Sequence, residues 1–219
     1  MKFIYPDFKT VTFNNQRWYQ IDENCHYPSI TTVLGHSEPE HKKAALAAWA
    51  KSVGIVKAEK IGKDAAARGT SVHLLIEQFI RGDEINFTGI THVEKSIFNS
   101  LKMKLKMIDE VWGNEVTLYS DTIGAAGRCD CIGVFRGEPS VIDFKTSTRT
   151  KKVDQIDDYK LQCAAYALMH NFMHETTISK GVILMGVENG LPLEFRFDIE
   201  SYIEPLLKRI EIFYDKLPK

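Results

Sequence analysis

The sequence predicts a single α/β domain, helical through most of its first half and built on adjacent strands thereafter. Two observations predict it. Up to about residue 111 apolar residues recur mostly at helical spacing, whereas from Asn114 onward they alternate with period two. The strand-like runs are also separated by short turn signals, with no repeat, low-complexity tract or flexible linker to divide the chain.

At the N-terminus, residues 9–21 alternate apolar and polar side chains about Asn14-Asn15, a pair that tolerates positive φ, which predicts a hairpin. After Pro28, Ser29 caps a short helix or turn over 30–34, and alanine-rich helices are predicted over 39–51 and 56–67. Arg68-Gly69-Thr70 opens a separate helix that runs to Ile80 and stops near Gly82, and a longer one spans 91–111. The elements up to about 67 read as an elaboration of one domain covering 1–219. Strands follow at 115–119, 127–135 and 140–146, the last two tightly joined by Arg136-Gly137-Glu138-Pro139, so that three adjacent antiparallel strands result. A helix over 157–171, strands at 179–187 and 193–197 around Asn189-Gly190, and an amphipathic helix over 199–216 complete the chain.

Composition narrows function without choosing it. A net charge of -1 excludes a generally basic nucleic-acid binder but leaves room for a local basic groove beside an acidic metal site. No apolar stretch reaches membrane-spanning length, and Met1-Lys2-Phe3-Ile4-Tyr5-Pro6-Asp7 lacks the apolar core of a signal peptide. A cytoplasmic location with no membrane partner is therefore expected, in the host cytoplasm if the chain is phage-encoded. Cys25, Cys129, Cys131 and Cys163 form no C-x-x-C pair and no zinc-ribbon spacing, so free thiols are expected. Cys129 and Cys131 flank Asp130 on a strand and are expected to pack on the face opposite to it. No Walker-type segment is present, so the sequence encodes no nucleotide-driven motor.

The chemistry concentrates on two consecutive strands. Asp143 and Lys145 share one face of a strand whose other face is Ile142 and Phe144, and Asp130 lies on the strand before it. Two converging carboxylates repel unless a divalent cation lies between them, and a neighbouring ammonium suits a developing pentavalent phosphate. A plain Asp143–Lys145 ion pair is the alternative. His73 and Glu77, four residues apart, share a helix face that supplies a nitrogen and a third carboxylate to a cation, or is simply solvated. Arg68 and Thr70 around Gly69, at a helix entrance, favour a phosphate. Gln162 and Tyr166, also four apart, hydrogen-bond the lysine or a phosphate and stack on a base, or form a surface polar pair. Arg149, Lys151 and Lys152 suit a DNA backbone, or a solvated loop.

These residues resemble a known family. Gly127-Arg128-Cys129-Asp130, Asp143-Phe144-Lys145-Thr146-Ser147 and Gln162-Cys163-Ala164-Ala165-Tyr166 are similar to the three C-terminal motifs of PD-(D/E)xK nucleases of the RecB-like branch, and Arg68-Gly69-Thr70-Ser71-Val72-His73 resembles the branch's upstream helix motif. Their order and rough spacing agree over about half the chain. Tyr27-Pro28-Ser29-Ile30-Thr31-Thr32-Val33-Leu34, with Trp49 downstream, is similar to stand-alone exonucleases of mitochondrial genome maintenance and of phages.

The resemblance implies a restriction-endonuclease-like core, a central mixed β-sheet flanked by helices, and Mg²⁺- or Mn²⁺-dependent cleavage of DNA phosphodiesters. It implies Asp130 and Asp143 as main metal ligands, the Phe144 carbonyl as a backbone ligand, His73 as an additional ligand and Glu77 as a weaker candidate. Lys145 would orient the attacking water, supported by Gln162 and Tyr166, while Arg68, Thr70, Arg128, Thr146, Ser147, Arg149, Lys151 and Tyr166 would contact DNA. Glu115 matches a frequent acidic position of the branch only loosely. Some relatives hold an iron–sulfur cluster through cysteines after the Gln-x-x-x-Tyr helix; none follows Cys163 here, so no cluster is expected. The expected activity is a DNA exonuclease acting on single strands or ends, with DNA and replication or recombination proteins as partners. The alternatives are a structure-specific endonuclease of the same fold and a non-catalytic DNA-binding module, although the latter would be expected to lack one of Asp130, Asp143 and Lys145.

Overall fold

The computed structural model describes residues 3–217; the ends of the predicted span, Met1, Lys2, Pro218 and Lys219, lie outside the described residues. A small antiparallel sheet comes first: β1 (Lys9–Phe13), β2 (Gln16–Gln20) and β3 (His26–Pro28). Asn14 and Asn15 take φ of 49° and 59°, the left-handed conformation that a two-residue turn between right-twisted strands requires. Helix α1 (Ile30–His36) is capped by Ser29, whose hydroxyl accepts the Thr32 N–H. Helices α2 (Glu40–Val53), α3 (Ile55–Arg81) and α4 (His92–Leu105) follow.

Two expectations fail in this stretch. The helices over 56–67 and 68–80 are one helix of 27 residues, α3, which passes through Gly69 and across the expected edge of the elaboration at 67. Strong helix formers, Ala65, Ala66, Ala67 and Arg68, precede the glycine, and one interior glycine costs only about 1 kcal/mol. The expected helix over 91–111 starts at Thr91, which forms a capping box with Glu94, but ends at Leu105. Strand β4 (Ile108–Ser120) begins three residues later, because 108–113 pair with the end of β5 and that pairing overrides local helical spacing.

The main sheet has the order β4-β5-β6-β7-β8, with β5 (Ala125–Phe135), β6 (Glu138–Ser147), β7 (Lys180–Val187) and β8 (Leu193–Asp198). β4, β5 and β6 are antiparallel as expected, β6 and β7 are parallel, and β7 and β8 are antiparallel, so the sheet is mixed. The β5–β6 connection is tighter than expected: only Arg136 and Gly137, both left-handed, lie outside the strands. The parallel step is bridged by α5 (Asp157–His174), and α6 (Glu200–Asp215) follows β8.

Each face of the sheet carries its own apolar layer. Val141, Ile183 and Met185 pack with Ala164 and Leu161 of α5 and with Leu206 and Phe213 of α6. Ile142, Phe144, Val182 and Leu184 pack with Val72, Leu75 and Ile76 of α3 and Phe98 and Leu101 of α4. Helix α2, by contrast, buries none of its residues, and Leu46 and Trp49 are exposed on it.

At the far end of α5, His170 is fully buried; Tyr5 hydroxyl donates to its Nε2 and its Nδ1–H donates to Thr176, within an aromatic cluster of Phe3, Tyr5 and His174. Burial, helped by neighbouring His174, pulls the imidazole down to about 4. The unfolded chain titrates near 6.5, so between these values it binds the additional proton. His170 thus contributes stability that is fully present above about pH 6.5 and lost as pH falls toward 4, on the order of 2 kcal/mol. Urea midpoints of wild type and His170→Gln at pH 7.5 and 5 should converge at the lower pH; an unchanged gap would show that the ring is not held neutral.

Candidate active site

Strands β5 and β6 pair from Phe135–Glu138 to Cys131–Ile142 and then part. At the fork Asp130 turns into the gap, and its Oδ2 accepts the Phe144 N–H at 2.8 Å in place of a ladder partner. From above, His73 of α3 donates its Nε2–H to the Phe144 carbonyl at 2.9 Å. Both backbone groups of Phe144 are therefore met by side chains of the predicted site. The fork also breaks the alternation of β5: Cys129 packs in the α5 layer and Cys131 in the α3–α4 layer, not together on one face as expected. Neither thiol is engaged in a disulfide.

With Nε2 committed to Phe144, His73 Nδ1 faces two carboxylates, Asp130 Oδ1 at 3.7 Å and Glu115 Oε1 at 3.9 Å. Ligand atoms from these three residues lie within 4.8 Å of one another. Burial pulls the His73 imidazole down, yet the facing Glu115 and Asp130 carboxylates more than offset it and hold its pKa above the usual value.

Glu115 reaches the cluster by a local distortion. It stands in the middle of β4 at φ 54°, a left-handed conformation that costs a non-glycine residue about 1–2 kcal/mol. Its carbonyl accepts a hydrogen bond from Arg128 Nη1 at 2.9 Å instead of one from the sheet. Replacing Glu115 by Val should therefore destabilise the fold by about 1–2 kcal/mol more than replacing it by Asn, which tolerates positive φ, although both remove the carboxylate. Equal urea midpoints for the two variants would argue that the backbone there is unstrained.

Asp143 and Lys145 project from the same face of β6, as their spacing requires. Lys145 Nζ donates to Asp143 Oδ1 at 2.6 Å, while Asp143 Oδ2 is buried without any hydrogen-bond partner. Burial pushes the Asp143 carboxyl up to about 6 against the pull of Lys145. Burial alone would lower Lys145, but Asp143 and Asp130 hold it above its ordinary range, so it stays an ammonium. An orphaned buried carboxylate oxygen is costly, by roughly 1–3 kcal/mol or more, and marks a position built for a partner that is a cation or donor.

Carboxylates, a carbonyl oxygen and one imidazole form a donor set that suits a hard divalent cation. With Nε2–H held by Phe144, Nδ1 is the nitrogen left to ligate, and its 3.7 Å to Asp130 Oδ1 and 3.9 Å to Glu115 Oε1 fall within the spacings between ligands of an octahedral ion, roughly 3–4.2 Å at bonds of about 2.1 Å. The residues present therefore fit a Mg²⁺- or Mn²⁺-sized ion.

Of the other predicted residues, the structure gathers some and disperses the rest. Arg68, Thr146, Ser147, Arg149 and Lys151 line one cavity beside Lys145. Thr70 does not join them, because it lies within α3 and its hydroxyl donates to the Ala66 carbonyl one turn back. The backbone N–H groups around Gly69 belong to the interior of the helix, so the expected phosphate-binding helix entrance does not exist. Arg128 braces Glu115 and pairs with Asp7.

Glu77, four residues past His73, forms an ion pair with Arg81 at 2.5 Å and is not in the cluster; Glu115 stands where a third acid was expected. Tyr166 is 2% exposed, so it cannot stack on a base or contact DNA. A Cβ on Gly127 would come within 2.7 Å of the Tyr166 ring, which is why that strand position is glycine, and Gln162 donates to the Tyr166 hydroxyl at 3.2 Å. Sequence reasoning passed over Tyr159, in the first turn of α5, whose ring lies 5.0 Å from Lys145 Nζ and 5.6 Å from Lys151 Nζ. Only its position one turn before Gln162 hinted at a place near the site.

A mixed sheet forked at an aspartate, with Asp-x-Lys on the adjoining strand and a helix-borne histidine above, resembles the PD-(D/E)xK, RecB-like type. The chain is similar to mitochondrial genome maintenance exonuclease 1 of Mus musculus, at 26% identity over 204 residues, which is 86% of this chain and 59% of that protein. It matches the Homo sapiens protein of that name at 25% over 201 residues, covering 86% and 58%, and the Xenopus tropicalis one at 23% over 177 residues, covering 78% and 51%. The chain thus spans little more than half the length of these relatives. A solved structure from Eubacterium rectale aligns over 69% of each chain at 10% identity with a TM-score of 0.47, too distant to add to the assignment. No protein-family model matches the chain.

Proposed function

We propose that the protein is a divalent-metal-dependent DNA exonuclease that hydrolyses phosphodiester bonds in single strands or at DNA ends. The observation that carries the reading is the buried, partnerless Oδ2 of Asp143 beside the Lys145 ammonium, next to the His73, Glu115 and Asp130 cluster. The names of the similar proteins support exonuclease action.

In this reading Asp130, Asp143, Glu115, His73 and the Phe144 carbonyl hold the cation. When bound, it supplies Lewis acidity toward a phosphoryl oxygen and makes a nearby water a better nucleophile. The chain's own groups do the rest. Asp130 and His73 lock the Phe144 peptide so that its carbonyl keeps one orientation, and His73 is fixed in the tautomer that leaves Nδ1 facing the acids. Lys145 presents its charge to the attacking and leaving oxygens, and Asp143 keeps that charge in place. Gln162 and Tyr166 act behind the site by packing α5 against Gly127.

Incubation of 5′- and 3′-labelled linear single strands beside a circular one, in Mg²⁺, Mn²⁺ or chelator, tests the reading. Metal-dependent loss of linear DNA alone, abolished by Lys145→Ala, is the expected result, and the product ladders give the polarity. Cleavage of the circle would make the activity endonucleolytic, and binding without cleavage of any DNA would overturn catalysis.

A further inference from the structure

Past Lys145, strand β6 ends and the chain turns through Thr148 and Arg149 opposite the middle of α3. Between them lies an open cavity of about 420 Å³. Its size falls among small-ligand pockets, about 300–1,000 Å³, and a phosphate group alone would leave most of it empty. Its lining carries three cations, Arg68 from α3 and Arg149 and Lys151 from the chain after β6, with Asp64 the single acid. Tyr159 of α5 and the apolar Ile61 and Ala65 of α3 complete it.

The three cations are under-partnered. Arg68 Nε is buried with no hydrogen-bond partner, and its Nη1 stands 3.8 Å from Glu188, too far for a hydrogen bond. Arg149 and Lys151 have no carboxylate within ion-pair distance among the described residues. An arginine fork with unused donors, joined by two cations that have no carboxylate partner among the described residues, matches a phosphate. Tyr159 matches a nucleobase: its half-buried ring packs on the apolar layer of α5 and meets the Lys145 and Lys151 ammonium groups at 5.0 and 5.6 Å.

We infer that this cavity is a subsite for one whole nucleotide adjoining the scissile phosphate, its phosphate held by Arg68, Arg149 and Lys151 and its base turned out of the stack against Tyr159. Resting on the nuclease reading above, it adds that the strand is held by a single splayed base, which duplex DNA cannot offer without unpairing. Lys151 leaves the tyrosine ring for the phosphate when the base arrives. Because ring stacking and shape, not base-edge hydrogen bonds, hold the base, the subsite accepts any of the four.

The test is an abasic scan. Fluorescence anisotropy in chelator measures binding of short single-stranded oligonucleotides in which one nucleotide at a time lacks its base. Wild type should lose about 10-fold in affinity at one position and little elsewhere. Tyr159→Phe should keep that pattern, and Tyr159→Leu should erase it, making intact and abasic strands bind alike. Arg68→Met should weaken all strands and leave the position dependence in place. A flat scan with wild type, or a dip that persists in Tyr159→Leu, overturns the subsite even if the protein degrades DNA. Failure of wild type to bind or cleave any single strand overturns the nuclease reading, and the subsite with it.

Discussion

Asp143→Asn is expected to lose on the order of 10³-fold or more in DNA hydrolysis while remaining folded. The substitution keeps the shape of a side chain that is 1% exposed, so the layer around it stays filled. What it removes is the charge that pairs with Lys145 and the oxygen that has no partner in the chain. Lys145 is not stranded by the change, because its side chain is 18% exposed and lies near the Tyr159 ring. The fold should therefore survive, and the loss should be one of chemistry and cation binding. Thermal unfolding separates the two. Saturating Mn²⁺ should stabilise wild type by RT ln(1 + [L]/Kd), about 2.7 kcal/mol at a hundredfold excess over Kd, and should hardly shift the variant. Metal-dependent hydrolysis undiminished in Asp143→Asn would sink the assignment of this carboxylate.

The largest structural effect is expected at Gly133, three residues past Asp130 on β5. A methyl added there would run into the backbone carbonyl of Glu110, with the carbonyl carbon only 3.1 Å away. Register shifts at Ile108/Glu110 and Val111/Gly113 press β4 onto β5 at this point, and neither strand can retreat without opening the sheet. Gly133→Ala should cost about 3 kcal/mol or more and lower the melting temperature by roughly 6–12 °C for a chain of this size. Gly69→Ala should act in the opposite direction. Its added methyl meets only Thr146 Oγ1, at 3.9 Å, in the interior of α3, so it should gain up to about 1 kcal/mol. Calorimetry of the two variants decides; similar melting temperatures would show that the bulged register is not as tight as described.

The contrast between these glycines shows where local reasoning stops. Period-two alternation placed Asp143 and Lys145 on one face of β6 without knowledge of any neighbour, whereas helical spacing put His73 and Glu77 on one helix face and left open whether that face met the sheet or solvent. Asn14-Asn15, Ser29 and the 157–171 helix were legible for the same reason: each depends on backbone preferences or side chains a few residues apart. Gly69 misled because an isolated glycine looks like a boundary, whereas the packing of α3 against β6 and α4 carries the helix through it. Tyr166 misled because helical spacing states which residues share a face but not whether that face meets solvent or the glycine of a distant strand.

The sequence by itself determined most of the elements and their order, though not β3, the single α3 or the start of β4, and it determined the shared face of Asp143 and Lys145 and a motif order that resembles the PD-(D/E)xK nucleases. Tertiary structure decided which acid joins His73 and Asp130, selecting Glu115 over Glu77, and which cations line the cavity. The physical reason is that those outcomes depend on where β5 leaves β6 and on a strained residue within β4. A fork between strands and a left-handed residue inside one are held by contacts between segments far apart in the chain, and such contacts leave no period to read.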